Sequence, residues 1–351
     1  MTHDNGRPPV PEGMSGVGGK GSAQQEGIVL HGRQDNPASK EAPMLFACIF
    51  CMVGGFGAGF ISPLACLLVG FGALAAGAGK SVGVRALVYA GTLVFAGIGG
   101  VVFGVDAVPD AVIACVLALA LAEMACRGKM TPTRAIVAVI AATAAHIGVA
   151  EAFAMSQQTT LASSFSGMLD ANKELLDAAG VDAGTWQTLK WALGLVWPAV
   201  YGTLSAMELL CSCAGVALAA ANLQSRGVKQ PRLGNFDLPL WVVAIFVAAV
   251  AGIAVWATQP ALASDALLAI AGNVLLTVRY ALAFQGFAVL VWLLQGKKVP
   301  KLAIVLAVLA AVYLEAQFIV MSIVGLLDVW ANFRHLTRGE VADDQETAKQ
   351  D

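Results

Sequence analysis

Charge is what this sequence has least of. Only 13% of its 351 residues are Asp, Glu, Lys or Arg, whereas 58% are hydrophobic and the mean hydropathy is +0.74. Soluble domains carry about 25% charged and about 45–50% apolar residues, so an ordinary soluble domain is excluded. Histidine is scarce at four residues, and none lies near any of the seven cysteines in sequence, which removes the usual zinc spacings. An odd cysteine count, with every cysteine within or at the end of an apolar run, implies no disulfide framework; Cys48-x-x-Cys51 reads as small residues packed in a helix. The net charge of −2 argues against a nucleic-acid partner. A glycine-rich stretch, Gly16 to Ser22, imitates a phosphate-binding loop. Met14 stands where such a loop needs its first glycine, Gly21 follows the lysine, and no strand precedes it. Neither a nucleotide motif, a metal cluster nor a nucleophile–base arrangement is present, so an enzyme or a subunit with its own ATPase motor is not expected, and no cofactor is implied.

What is present is a series of long apolar runs. A bilayer core about 30 Å thick needs about 20 apolar residues per helical crossing. Residues 44–333 hold enough for eight or nine, rich in Ala, Leu and Gly and without the alternation of a β-barrel. The expected fold is therefore all-α, a polytopic transmembrane helical bundle. Helices are expected at about 44–61, 64–79, 85–104, 109–126, 133–155, 188–222, 239–257, 265–295 and 301–327, with a break at Ser62-Pro63. Residues 1–43 mix Gly, Pro, Ser, Gln and charges without period, and read as a disordered tail; 334–351 read as a second polar tail.

Lys and Arg near helix ends mark the cytoplasmic side. Lys80 and Arg85, then Arg127, Lys129 and Arg134, then Arg226, Lys229 and Arg232, then Lys297, Lys298 and Lys301 fall in alternate loops. The loops between them carry one Lys and no Arg. Nine crossings from an inner N-terminus would leave the C-terminus outside, against the sign of Arg334 and Arg338. Residues 156–187 form the one sizeable insert, on the outer face. Phe165, Met168, Leu169, Leu175 and Leu176 set against Asp170, Lys173, Glu174 and Asp177 predict a short amphipathic helix there. It either lies on the membrane surface or covers an outward-facing cavity.

Ionisable groups in hydrocarbon cost about 2.5–3.5 kcal/mol on insertion scales and need a partner or a purpose. Arg279 and Glu315 sit on consecutive helices at similar depth, which predicts an intramembrane ion pair. Glu208 lies on a stripe with Tyr201, Ser205, Ser212 and Gly215, which reads as the wall of a wet cavity or as a protonated acid bonded to a neighbour. His146 reads as a packed histidine rather than a metal ligand. Asn273 and Gln285 can satisfy their amides across helices.

Three short segments carry a further signal: Asn235-Phe236-Asp237-Leu238-Pro239-Leu240-Trp241; Asn273 followed by the run from Tyr280 to Val289; and Gly325-Leu326-Leu327-Asp328 through Arg334. In these segments, and in layout over about residues 44–335, the chain resembles the YybS-like family of bacterial integral membrane proteins. That family is itself loosely similar to the S components of energy-coupling-factor transporters. The resemblance implies a helical bundle in the bacterial cytoplasmic membrane that binds a vitamin or similar micronutrient near its outer face. It implies as partners, besides lipid, a transmembrane coupling subunit with separate ATPases. On this reading Glu208, Asn273, Arg279 and Glu315 are the candidate ligand-binding residues. The alternative is a membrane scaffold or assembly protein whose buried charges only lock helix register. A proton- or ion-coupled transporter using Glu208 and Glu315 is a third.

Overall fold

The computed structural model describes residues 44–173, 178, 180–222, 234, 236–259, 261, 264–295 and 301–336, and contains no strand among them. The tails expected at 1–43 and beyond 336 lie outside the described residues, as do Leu175 and Leu176 of the insert. The helices are α1 (Met44–Gly57), α2 (Ser62–Gly77), α3 (Val82–Phe103), α4 (Ala107–Cys126), α5 (Pro132–Ser156), α6 (Leu161–Ala171), α7 (Ala183–Val196), α8 (Pro198–Asn222), α9 (Leu240–Thr258), α10 (Asp265–Gln295), α11 (Lys301–Phe318) and α12 (Val320–Ala331). Six of them, α3, α4, α5, α8, α9 and α10, are long and apolar enough to cross a membrane. Their outward faces remain apolar: in α5 and α9 only 17% of the most hydrophobic window is buried within the protein. Side chains such as Val137, Ile140, Ile245, Val247 and Val250 stand exposed. An apolar surface of that extent is stable only against lipid. The chain is a multi-pass membrane protein.

Two expected helices are broken. The run 188–222 divides at Trp197-Pro198 into α7 and α8, because proline lacks the N–H a continuing helix needs. The run 301–327 divides at Ile319, which takes a left-handed conformation with φ +51°. No proline or glycine marks that position, so the sequence carries no local sign of it.

Contacts set the helix directions. Gly54 faces Ala65 and Val69 while Gly72 faces Ala47 and Cys51, so α1 and α2 form an antiparallel hairpin. Its tip reaches Gly99 and Gly100, near the outer end of α3. The returning helix α2 then runs parallel to α8, its most extensive neighbour. Gly70 abuts the Ser212 carbonyl and Gly215 abuts that of Leu67, so the two backbones touch through paired glycines. The same device recurs at the other end of the chain. α12 runs parallel to α10, with Gly286 against the Met321 carbonyl and Gly325 against that of Leu282.

One apolar core is built from α1 to α4 and α8, around Val69, Leu74, Cys115 and Val216. A second lies among α9, α10 and α12, around Val242, Leu282 and Val329. Helix α7 begins at an Asp182 cap whose Oδ1 accepts from the amides of Gly184 and Thr185. The Thr185 hydroxyl and these amides hold the Asp182 carboxyl below its ordinary range.

Candidate functional site

The polar residues of the bundle gather in separate centres at different depths. In the outer half, Asp110 stands in the first turn of α4 and His146 in the outer part of α5, with Glu208 on α8. His146 and Glu208 are fully buried, whereas the Asp110 side chain is 48% exposed. The imidazole bridges the two acids: Nδ1 lies 2.8 Å from Asp110 Oδ1 and Nε2 lies 3.4 Å from Glu208 Oε2. Ser62 Oγ, at the start of α2, donates to the other Glu208 oxygen at 2.7 Å. The positive end of the α2 dipole thus faces the carboxylate. Four helices contribute one side chain each, and a file of polar groups leads from an exposed acid to a fully buried one.

On the stripe Tyr201, Ser205, Glu208, Ser212 and Gly215, the Ser205 and Ser212 hydroxyls are buried without a protein hydrogen-bond partner. The stripe is pressed against α2, with Ser205, Glu208 and Ser212 fully buried and Gly215 in backbone contact with Leu67.

At mid-depth, Arg279 Nε lies 3.6 Å from Glu315 Oε1. Glu315 also accepts from the Ser322 amide at 2.9 Å and the Ser322 hydroxyl at 2.7 Å. Because the chain breaks at Ile319, Ser322 lies in the first turn of α12, so Glu315 caps that helix and faces its positive end. The Ser322 hydroxyl also donates to the Arg279 carbonyl at 3.1 Å, and the guanidinium lies 5.0 Å from the Tyr280 ring centroid. The face of α10 that carries Arg279 and Gly286 packs against α12.

Asn273 stitches the α7–α8 break. Its Oδ1 accepts from the Ala199 amide at 2.7 Å and its Nδ2 donates to the Leu195 carbonyl at 2.8 Å. A continuous helix would join those two groups to each other; the asparagine amide takes the place of that bond. No hydrogen bond or ion pair among the described residues joins Glu208 or Asn273 to the Arg279–Glu315 pair. The four candidates therefore belong to three contacts rather than to one site.

Towards the inner end, Gln285 Nε2 donates to Asp328 Oδ2 at 2.8 Å and to Asp237 Oδ1 at 3.2 Å, while its Oε1 accepts from the Leu238 amide. Arg334 donates to Asp328 Oδ2 from Nε and Nη2, and from Nη1 to the Gly234 carbonyl at 2.7 Å. Arg334 had been assigned to the polar tail; it is 5% exposed and part of the bundle. The three segments on which the family resemblance rests meet in this one knot.

The outer insert forms a further feature. Lys190 of α7 binds both oxygens of Asp170 on α6 at 2.7 Å. Behind this bridge lies an open cavity of about 400 Å³ whose lining includes Ser166, Gln187, Lys190, Trp191, Leu195 and Asp265. None of Glu208, Asn273, Arg279 and Glu315 lines it, although Asn273 bonds the carbonyl of lining residue Leu195. Among the described residues no group of three or more His, Cys, Asp or Glu side chains could hold a metal ion.

Sequence reasoning passed over Ser62 and Asp110 as partners of Glu208, because nothing local marks a contact 146 residues apart in the chain. Tyr89, Arg85 and Arg127, which converge on Glu123 at the inner ends of α3 and α4, were likewise missed as a cluster. Comparison of the chain with protein-family models, curated proteins and solved structures found no match.

Proposed function

We propose that this chain is a non-enzymatic solute-binding or transport subunit of the YybS-like type, in the bacterial cytoplasmic membrane, taking a micronutrient-sized molecule at its outer face. The observation that carries the reading is the cavity under the insert. Its lining offers an indole face, an ammonium, a carboxylate and an amide around about 400 Å³, a combination suited to a small polar or zwitterionic ring compound. Its two walls, α6 and α7, are tied by the exposed Lys190–Asp170 bridge, which a ligand carboxylate can replace. Energy for movement would come from a separate coupling subunit with its ATPases. In the same reading α1 and α2 each cross most of the bilayer, and with the six long helices make eight crossings. The α11–α12 pair is then a re-entrant hairpin whose tip stops at the level of Arg279, and both termini face the cytoplasm.

A panel of vitamins and related micronutrients added to the purified protein tests this. One member should raise the thermal midpoint, by an amount equivalent to about 2.7 kcal/mol at a hundredfold excess over Kd. Trp191→Ala and Lys190→Ala should abolish the gain while leaving the ligand-free midpoint in place. Silence across the panel would count heavily against the reading, as would native-membrane copurification that returns no ATPase pair.

The scaffold reading draws support from one observation. Glu315 is already satisfied by Ser322 and the end of α12, so this carboxylate needs no ligand to account for it.

A further inference from the structure

The outer polar file is independent of the cavity and carries its own inference. A neutral imidazole offers one N–H and one lone pair. His146 meets a carboxyl group at each nitrogen, so each of the two contacts needs one hydrogen. Either the imidazole is doubly protonated between two carboxylates, or one carboxyl carries a proton; both arrangements hold two protons and a net charge of −1. No Lys or Arg among the described residues pairs with Asp110, His146 or Glu208. The other titratable groups facing them are the thiols of Cys66 on α2, Cys115 on α4 and Cys211 on α8, with the phenol of Tyr201 towards Asp110. Glu151, further along α5, is turned away to accept from the Leu161 amide. Among the described residues the remaining negative charge is met by the first turns of α2 and α4, by the Ser62 hydroxyl and, at the exposed Asp110, by water. The imidazole thus joins a water-accessible carboxyl to a buried one, the geometry a proton needs to pass between them.

We propose that Asp110, His146 and Glu208 form a proton-binding relay that opens to the outer face and ends beneath the tip of the α1–α2 hairpin. A proton from the outer water binds the exposed Asp110 carboxylate and brings the cluster to neutrality. His146 then releases its Nε2 proton to Glu208 Oε2 and keeps the Nδ1 proton shared with Asp110. Glu208 becomes a carboxylic acid, Asp110 retains the proton taken from water, and the neutral cluster holds three protons in place of two. The Asp110 leg, at 2.8 Å, is already at transfer distance. The Glu208 leg, at 3.4 Å, must shorten by a few tenths of an ångström to enter the range of about 2.6–3.2 Å. When Glu208 is neutral, the bond it accepts from Ser62 loses its charge assistance, and hydrogen bonds to ionised groups are roughly twice as strong as neutral ones. Protonation therefore loosens the hold of α8 on the hairpin tip.

The test is infrared difference spectroscopy of the full-length protein in lipid nanodiscs, titrated from alkaline to acid pH. The carbonyl-stretch band of a buried carboxylic acid should appear on acidification in the wild type and be missing in Glu208→Gln. Asp110→Asn, at a half-exposed position where the amide oxygen can still accept from His146 Nδ1, should move the band's midpoint by about one pH unit, or tenfold in proton concentration. His146→Phe should leave the band slow to follow a pH jump or absent. A band that survives Glu208→Gln, or a midpoint that is the same in wild type and Asp110→Asn, overturns the relay. So does a transition that follows sodium concentration at fixed pH, which would make the site a cation site.

Discussion

Burial changes what an ionisable residue can mean. Glu208, Glu315 and Asp328 are all acids inside an apolar bundle, yet each is met differently. Asp328 is neutralised by Arg334 at 2.8 Å and bonded by Gln285. Glu315 has Arg279 and a helix end. Glu208 has the Ser62 hydroxyl and an imidazole that it shares with a second acid, Asp110. The Arg279–Glu315 pair gives a prediction at this scale. Arg279→Met alone leaves Glu315 short of its counter-ion and should destabilise the detergent-solubilised protein by about 3 kcal/mol. The double variant Arg279→Met, Glu315→Leu removes both charges and should recover most of that loss in thermal unfolding. If the double variant is no more stable than the single one, the pair does more than satisfy itself.

At the scale of elements, the chain uses one construction twice. A hairpin returns, and its second helix runs parallel to a long helix with glycines in backbone contact: α2 on α8, α12 on α10. In both, the returning helix begins beside a carboxylate, Glu208 for α2 and Glu315 for α12, and a serine in its first turn donates to that acid at 2.7 Å. A side chain at Gly325 would meet the Leu282 backbone, which cannot move aside as a flexible side chain does. Gly325→Val should therefore part α10 from α12 and cost at least the 1–3 kcal/mol of ordinary overpacking, seen as a lower unfolding midpoint. Gly148→Val, where an added Cβ meets nothing within 4 Å, should leave the midpoint nearly unchanged. Equal losses at the two positions would refute the close contact.

For the whole molecule, the break at Ile319 sets the direction of the last helix. Ser322 meets Arg279, Gly325 meets Leu282 and Asp328 meets Gln285, so α12 follows α10 in the same direction. Arg334 is thereby delivered to the Gly234 carbonyl, in the loop that also carries Arg226, Lys229 and Arg232. In the proposed topology, where the last stretch turns back, the basic C-terminal end falls on the side of the other basic loops. A reporter fused after residue 351, or a cysteine placed in the C-terminal tail and probed with an impermeant maleimide, should report the cytoplasmic side. Labelling from outside intact cells would reverse the assignment of α11 and α12.

The medium and the helical class were legible in the amino-acid order, because hydropathy is summed over whole segments and needs no knowledge of neighbours. The Ser62-Pro63 break was legible too, since proline acts locally. Asn273 and Gln285 were recognisable as amides seeking partners, though not which backbone groups they would join. What only the tertiary structure decided is where the chain bends without a breaker, at Ile319, and which distant groups meet. Glu208 finds Ser62 and His146 through the packing of α2, α5 and α8, and Asp328 finds Arg334 and Gln285 through the return of α12. Such meetings depend on helix rotation and depth, set by the fit of glycine against backbone across many residues, and no local run of sequence encodes them.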